Sequence, residues 1–120
     1  MKYFGVWDCS DEVHKDFLGY GDRDDGKRLK DFPNDDDILF ASYTSERYEG
    51  YATVLFKSEG KFYIVEGSHC SCYGLEGQWE PDEVIPEQLL KMEYGKYRNL
   101  DQQELDAWAS CVAGILGTIN

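Results

Sequence analysis

Three short apolar segments in the middle of the chain constrain its fold more than any other feature. They are rich in aromatic and β-branched residues, which favour extended strands, and they cover residues 38–43, 51–56 and 62–65. The polar segment 58–61 has glycine as its third residue and is typical of a hairpin turn, and Glu49-Gly50 marks the turn before it. The sequence therefore predicts an antiparallel sheet of three strands, or slightly more.

The C-terminal segment shows the clearest helical pattern. Its apolar residues recur every three or four positions and would share one helix face: Leu105, Trp108, Val112, Ile115, Leu116 and Ile119. Asp101 and Glu104 resemble an N-terminal capping pair. Shorter helices are predicted at 10–18 and 86–94, the second because Pro86 suits a first helical turn. We expect an α+β fold in which the amphipathic C-terminal helix packs on the sheet.

Length and composition fit a single domain spanning residues 1–120. Apolar residues make up 42% of the chain, which is enough for a hydrophobic core, while residues 19–37 lack periodicity and are predicted as a loop. No apolar run approaches the roughly 20 residues of a membrane-spanning helix, and the N-terminus lacks a secretory signal pattern. Four unevenly spaced cysteines do not resemble a disulfide framework, and Cys111 is expected to serve packing. We predict a cytoplasmic protein with reduced thiols.

One turn-rich segment, residues 67–79, combines a histidine, two cysteines, three glycines and two aromatic residues. Three of its residues have the atom types of zinc ligands: His69, Cys70 and Cys72. Cys9 or His14 could complete a four-ligand site, although structural zinc motifs usually place their ligands in two spaced pairs. A thiolate and imidazole at Cys70 and His69 form the catalytic alternative, but no orienting carboxylate or oxyanion hole can be assigned.

The third interpretation of this segment is architectural. Gly67 would end the third strand, and the later glycines would permit left-handed turns. Three side chains would anchor the loop on the sheet: Tyr73, Leu75 and Trp79. Three others would project as an interaction surface: His69, Glu76 and Gln78. We expect this role for most of the segment and no cofactor, with zinc at His69, Cys70 and Cys72 as the alternative.

The segments 39–43, 48–56, 60–65 and 67–81 resemble small proteins that are common in bacteriophages and mobile genetic elements. The likeness extends over about residues 36–84, and its most specific part is the Gly-Ser-His-Cys-Ser-Cys-Tyr-Gly-Leu-Glu-Gly-Gln-Trp string. Those proteins are functionally uncharacterised, so the resemblance implies an origin and not an activity.

The net charge of −12 argues against direct binding to a nucleic acid or an anionic membrane and favours a basic protein partner. Carboxylates are concentrated on two flanks, with eleven against six cations in residues 1–37 and nine against three in residues 76–106. The spacing on the first flank is not that of a calcium-binding EF-hand loop. The predicted partner-binding residues are Asp22, Asp24, Asp25, Asp35, Asp36, Asp37, Glu80, Asp82 and Glu83.

These patterns favour stoichiometric binding over catalysis. The leading hypothesis is a small acidic phage or mobile-element accessory protein that inhibits a host defence or nucleic-acid-processing protein. It would be of the anti-CRISPR or anti-restriction type and would imitate the charge of nucleic acid. One alternative is a small zinc module. Another is a plain interaction domain that would form a homodimer through exposed aromatic residues: Tyr43, Tyr48 and Tyr51.

Overall fold

The computed structural model describes residues 2–18, 32–46, 49–69, 75, 78–92, 94 and 102–119. Five strands and three helices lie in these residues. They are β1 (Tyr3–Gly5), α1 (Ser10–Leu18), β2 (Ile38–Glu46), β3 (Glu49–Ser58), β4 (Lys61–His69), β5 (Asp82–Val84), α2 (Pro86–Lys91) and α3 (Gln102–Ile119). The α+β class and the three predicted helices are confirmed, although α2 ends three residues earlier than predicted.

The sheet has five strands in the order β1-β2-β3-β4-β5. The three antiparallel strands predicted from the sequence form its centre as β2, β3 and β4. The prediction of a purely antiparallel sheet is wrong, because β1 joins β2 in parallel. Strand β5 adds an antiparallel edge on the other side. Both added strands are three residues long, which is too short for an alternating pattern to show in the sequence.

The central strands also extend beyond their predicted bounds. Glu49 and Gly50 belong to β3 and do not form the turn before it. Strand β4 continues through Gly67 to His69, so Gly67 does not end it. The predicted hairpin turn at 58–61 is confirmed, with Glu59 at φ 51° and Gly60 at φ 78°. Two successive left-handed residues give the turn a twist that matches the twist of the paired strands.

Helices cover both faces of the sheet. On one face, which we call the α1 face, Val13 and Phe17 pack against Val54 and Val65 of the central strands. On the other, the α3 face, the helical side chains contact three strand residues: Phe40, Leu55 and Ile64. Those helical side chains are Leu89, Trp108, Val112 and Ile115. The sheet is therefore apolar on both sides, as the near-continuous apolar runs of β3 and β4 predict.

An irregularity in β2 adds apolar surface to the α3 face. The pairing of β2 with β3 shifts between Ile38 and Phe40, which leaves Leu39 as an extra residue. Ile38 packs on the α1 face, while Leu39 and Phe40 both pack on the α3 face.

Among the described residues, no helix is both long and apolar enough to span a bilayer.

Candidate protein-interaction site

Three carboxylates line a groove at the β5 edge of the sheet. The groove has a volume of about 370 Å³ and is lined by Ile64, Glu66, Gln78, Glu80 and Asp82. We call it the β4–β5 groove. Asp82 lies opposite Ile64 in the strand register, and Glu66 is two residues further along β4 on the same side of the sheet. Glu66, Glu80 and Asp82 are all exposed to solvent.

Gln78 fixes the position of the segment that carries Glu80. Its side-chain nitrogen donates to the carbonyl of Ser68 at 2.7 Å, and its side-chain oxygen accepts from the Ser68 backbone N–H at 2.9 Å. The amide thus pairs with the end of β4 in the manner of a neighbouring strand. Both ends of the Gln78 amide are thus used within the fold, while the residue also lines the β4–β5 groove, and its part in an interaction surface stays a prediction.

The strand alternation separates two acidic residues that the sequence grouped. Asp82 lines the β4–β5 groove, whereas Glu83 pairs in register with Tyr63 on the opposite side of the sheet. The Glu83 carboxylate oxygen Oε1 lies 3.8 Å from Lys61 Nζ. This ion pair is exposed to solvent and contributes little to stability. The groove is lined by Glu66, which the sequence analysis did not select, and not by Glu83. The predicted third strand ended at Val65; a prediction that extended it by one residue would have included Glu66 in the strand beside Asp82.

In the other predicted acidic cluster, two carboxylates, Asp35 and Asp37, form hydrogen bonds within the fold. The Asp35 carboxylate accepts from the Tyr3 hydroxyl at 2.5 Å and from the Ser10 backbone N–H at 2.8 Å, at the start of α1. Asp37 contacts the backbone N–H of Asn34 at 3.3 Å within a turn, and Asp36 is exposed. Three further predicted residues lie outside the described part of the chain: Asp22, Asp24 and Asp25.

The described residues of the two acidic clusters do not form one continuous surface. The first leads directly into β2 and the second lies at β5, so β3 and β4 separate them. Three strand spacings correspond to about 14 Å. The hairpin between them carries two lysines, Lys57 and Lys61. The β4–β5 groove is therefore the better-defined acidic site.

Part of the 67–79 segment packs in the core. Leu75 is buried, and the Trp79 ring stacks over Phe56 with 5.7 Å between ring centroids. Trp79 also meets the ring edge of Phe17 at 5.1 Å. The predicted anchoring by Leu75 and Trp79 is confirmed, while Tyr73 and Glu76 lie outside the described residues.

One of the three proposed zinc ligands, His69, lies at the end of β4. The backbone of His69 pairs with Gly50 in the sheet, and Cys70 and Cys72 lie outside the described residues. His14 is buried on the α1 face, where its ring meets the Phe32 ring edge-on at 4.8 Å. No group of three or more histidine, cysteine or acidic side chains in the described ranges is arranged to hold a metal ion. Zinc binding at His69, Cys70 and Cys72 stays a prediction.

Cys111 has the properties of a packing residue. It is half-buried on α3 beside the α3 face of the sheet, and its thiol lies 3.7 Å from the Leu39 carbonyl oxygen. Burial raises the pKa of the Cys111 thiol to about 11. The thiolate, which is the nucleophilic form, is therefore scarce near neutral pH.

A buried polar cluster at the start of α3 was missed by sequence reasoning. Glu104 is 3% exposed, and its carboxylate accepts from the Ser42 hydroxyl at 2.8 Å and the Tyr94 hydroxyl at 2.7 Å. The side chain thus points to the sheet and not back along the helix as a cap. Its position one turn before Trp108 on the apolar helix face was the available signal.

The aromatic residues proposed for dimerisation have different environments. Tyr43 is half-buried and its ring packs 5.2 Å from that of Trp7. Tyr51 is 45% exposed on β3, and Tyr48 lies outside the described residues. Tyr43 therefore serves the core, and the prediction that it forms an exposed aromatic patch is wrong.

Comparisons of the chain with models of protein families, with curated proteins and with solved structures found no match.

Proposed function

We propose that the chain is an acidic binding protein that inhibits a basic, nucleic-acid-binding host protein through the β4–β5 groove. The inhibition is stoichiometric and of the anti-CRISPR or anti-restriction type. Carboxylates of the groove occupy cationic positions that the partner otherwise uses for nucleic acid. The observation that carries this proposal is an exposed set of three carboxylates, with no cationic side chain among the described residues that line the groove: Glu66, Glu80 and Asp82.

The geometry of this set favours separate cationic side chains over one chelated ion. Glu66 and Asp82 are diagonal neighbours on adjacent strands, for which the separation is about 7–8 Å at the backbone. Each carboxylate is therefore available to a different lysine or arginine. The excess of 24 acidic over 12 basic residues adds long-range attraction to a basic partner and repulsion of nucleic acid itself.

The first experiment isolates the partner from host cells with the immobilised chain and then measures the affinity of the purified pair. Because exposed charges are screened by salt, we expect the affinity to fall steadily between about 0.05 and 0.5 M sodium chloride. We also expect the chain to displace nucleic acid from the partner without binding nucleic acid itself. An affinity that is independent of salt would contradict the proposal.

A matched pair of variants tests the site. The groove variant carries Glu66→Gln, Glu80→Gln and Asp82→Asn, and the control carries Asp11→Asn, Glu59→Gln and Glu87→Gln. Both remove three exposed carboxylates, but the control positions lie outside the groove. We expect the groove variant to bind roughly tenfold more weakly or worse, and the control to lose only a few-fold in affinity. Equal losses would show that net charge, and not the groove, drives binding.

A further inference from the structure

A second groove, larger and apolar, runs along the side of α3. It has a volume of about 820 Å³ and lies between α3 and the sheet residues of β1, β2 and the β3–β4 hairpin. We call it the α3 groove. Its apolar lining consists of Phe4, Leu39, Phe62, Ala107, Cys111 and Ile115. Its volume is typical of sites that bind ligands or side chains of a partner.

The groove exists because the helices cover only part of this sheet face. Trp108, Val112 and Ile115 of α3 contact the centre of the face, at Phe40 and Leu55. Phe4 of β1 and Leu39 of β2 lie towards the β1 edge of this face and are only half-buried. A space between a helix and a sheet, with an apolar floor, is suited to the apolar side of a further helix.

The charged side chains of the α3 groove are divided by side, with the carboxylate of Asp106 on the helix side and the ammonium of Lys57 on the sheet side. The chain has a net charge of −12 and no lysine or arginine after Arg98, so α3 contributes no cation. Asp106 is exposed and lines the groove from the helix side. The last turn of α3 carries no basic residue to compensate the negative end of the helix dipole. Lys57 lines the groove from the sheet side, with its ammonium 5.8 Å from the centre of the Phe62 ring.

We propose that the α3 groove binds the apolar face of a basic amphipathic helix in the protein partner. This inference rests on the proposed function, because it assigns a second contact to the same basic protein. Large apolar side chains of the partner helix fill the space over Phe4, Leu39 and Phe62. Its lysines or arginines face Asp106 on the helix side of the α3 groove.

The test uses the full chain and three synthetic helical peptides of about 14 residues, or about four turns. The first has a leucine face and a lysine face, the second has the same leucine face with glutamate, and the third keeps the lysines but replaces leucine by serine. Calorimetric titration gives each affinity. We expect the leucine–lysine peptide to bind most tightly, by roughly tenfold or more over each of the others.

Two glycines of α3 provide matched variants. A Cβ atom added at Gly114 or Gly117 would have no described atom within 4 Å other than those of the adjacent helix backbone, and both positions are exposed. Gly114 lines the α3 groove. Because glutamine has a higher helix propensity than glycine, we expect both Gly114→Gln and Gly117→Gln to retain the fold. We expect Gly114→Gln to weaken the leucine–lysine peptide roughly tenfold, and Gly117→Gln to change its affinity less than about twofold.

Failure of this inference is distinguishable from failure of the proposed function. Equal binding of the leucine–lysine and serine–lysine peptides, or equal effects of the two glycine variants, would overturn the α3 groove as the site. If the leucine–glutamate peptide bound as tightly as the leucine–lysine peptide, the proposal that the partner helix is basic would be overturned. A dimer of the chain that dissociates in Gly114→Gln would also overturn it, since a second copy would then be the occupant. The variant in which Glu66, Glu80 and Asp82 of the β4–β5 groove are replaced tests the proposed function separately.

Discussion

At the scale of the residue, the Glu104 cluster is the most specific polar contact in the core. Ser42 and Tyr94 both donate to one carboxylate oxygen of Glu104. Removing either donor leaves a buried acceptor with less compensation for its lost hydration. We expect Ser42→Ala and Tyr94→Phe each to lower the free energy of unfolding by about 1–3 kcal/mol, measured by urea denaturation. Variants within about 0.3 kcal/mol of the original chain would contradict this account.

The reactivity of the Cys111 thiol should depend on pH differently in the folded and the unfolded chain. Its pKa is raised to about 11 in the folded chain, whereas an unfolded cysteine ionises near about 8.5. We expect its alkylation by iodoacetamide in the native chain to accelerate with pH up to about 11, and in urea to level off near its ordinary pKa. Peptide mass mapping separates Cys111 from the other cysteines. Native and unfolded profiles that coincide would contradict the burial.

The same shift affects stability, with a definite sign. Because the unfolded thiol loses its proton first, the contribution of Cys111 is fully present below about pH 8.5 and is lost as the pH rises towards about 11. We expect Cys111→Ala to lose less stability than the original chain over that range, measured by urea denaturation at several pH values. An identical pH dependence would show that the thiol does not contribute.

At the scale of the element, the β3–β4 hairpin is the most testable. Its two turn residues, Glu59 and Gly60, both have positive φ, and glutamate is poorly suited to that conformation. Asparagine tolerates the left-handed region better. We expect Glu59→Asn to raise the free energy of unfolding by about 0.5 kcal/mol and Gly60→Ala to lower it by about 1–2 kcal/mol. The opposite order of the two variants would contradict the turn.

Element bounds followed the sequence where side-chain periodicity was strong. The spacing of Trp108, Val112 and Ile115 predicts α3, and all three are buried on the sheet. Short elements were not predictable in this way. Strand β5 is charged and exposed at two of its three positions, and its strand conformation depends on pairing with Phe62, Tyr63 and Ile64 of β4.

At the scale of the whole molecule, the excess of carboxylates has a general effect on stability. With a net charge of −12, the folded chain concentrates like charges that the unfolded chain keeps further apart. We expect the melting temperature to rise when sodium chloride increases from about 0.05 to 0.5 M, because the Debye length shortens. Scanning calorimetry measures the change. A constant or falling melting temperature would show that charge repulsion does not limit stability.

The variant with the three carboxylates of the β4–β5 groove replaced should show a smaller salt-induced rise in melting temperature than the original chain. Glu66, Glu80 and Asp82 face one groove, so replacing them by amides removes local as well as general repulsion. The distributed control, with Asp11, Glu59 and Glu87 replaced, lowers the net negative charge by the same amount but at positions outside the groove. We expect the order of salt-induced increases in melting temperature to be original chain, control, groove variant. A control with the smallest increase would contradict the local contribution.

The sequence by itself determined the three central strands, the helices, the β3–β4 turn and the acidic character of the chain. Each of these depends on local propensity, on a short-range period or on composition. Only the tertiary structure decided which carboxylates share a surface. It placed Glu66 beside Glu80 and Asp82, placed Glu83 on the other face of the sheet and engaged Asp35 in hydrogen bonds from Tyr3 and Ser10. Such groupings depend on strand register and on contacts between distant segments, which neither charge nor periodicity encodes.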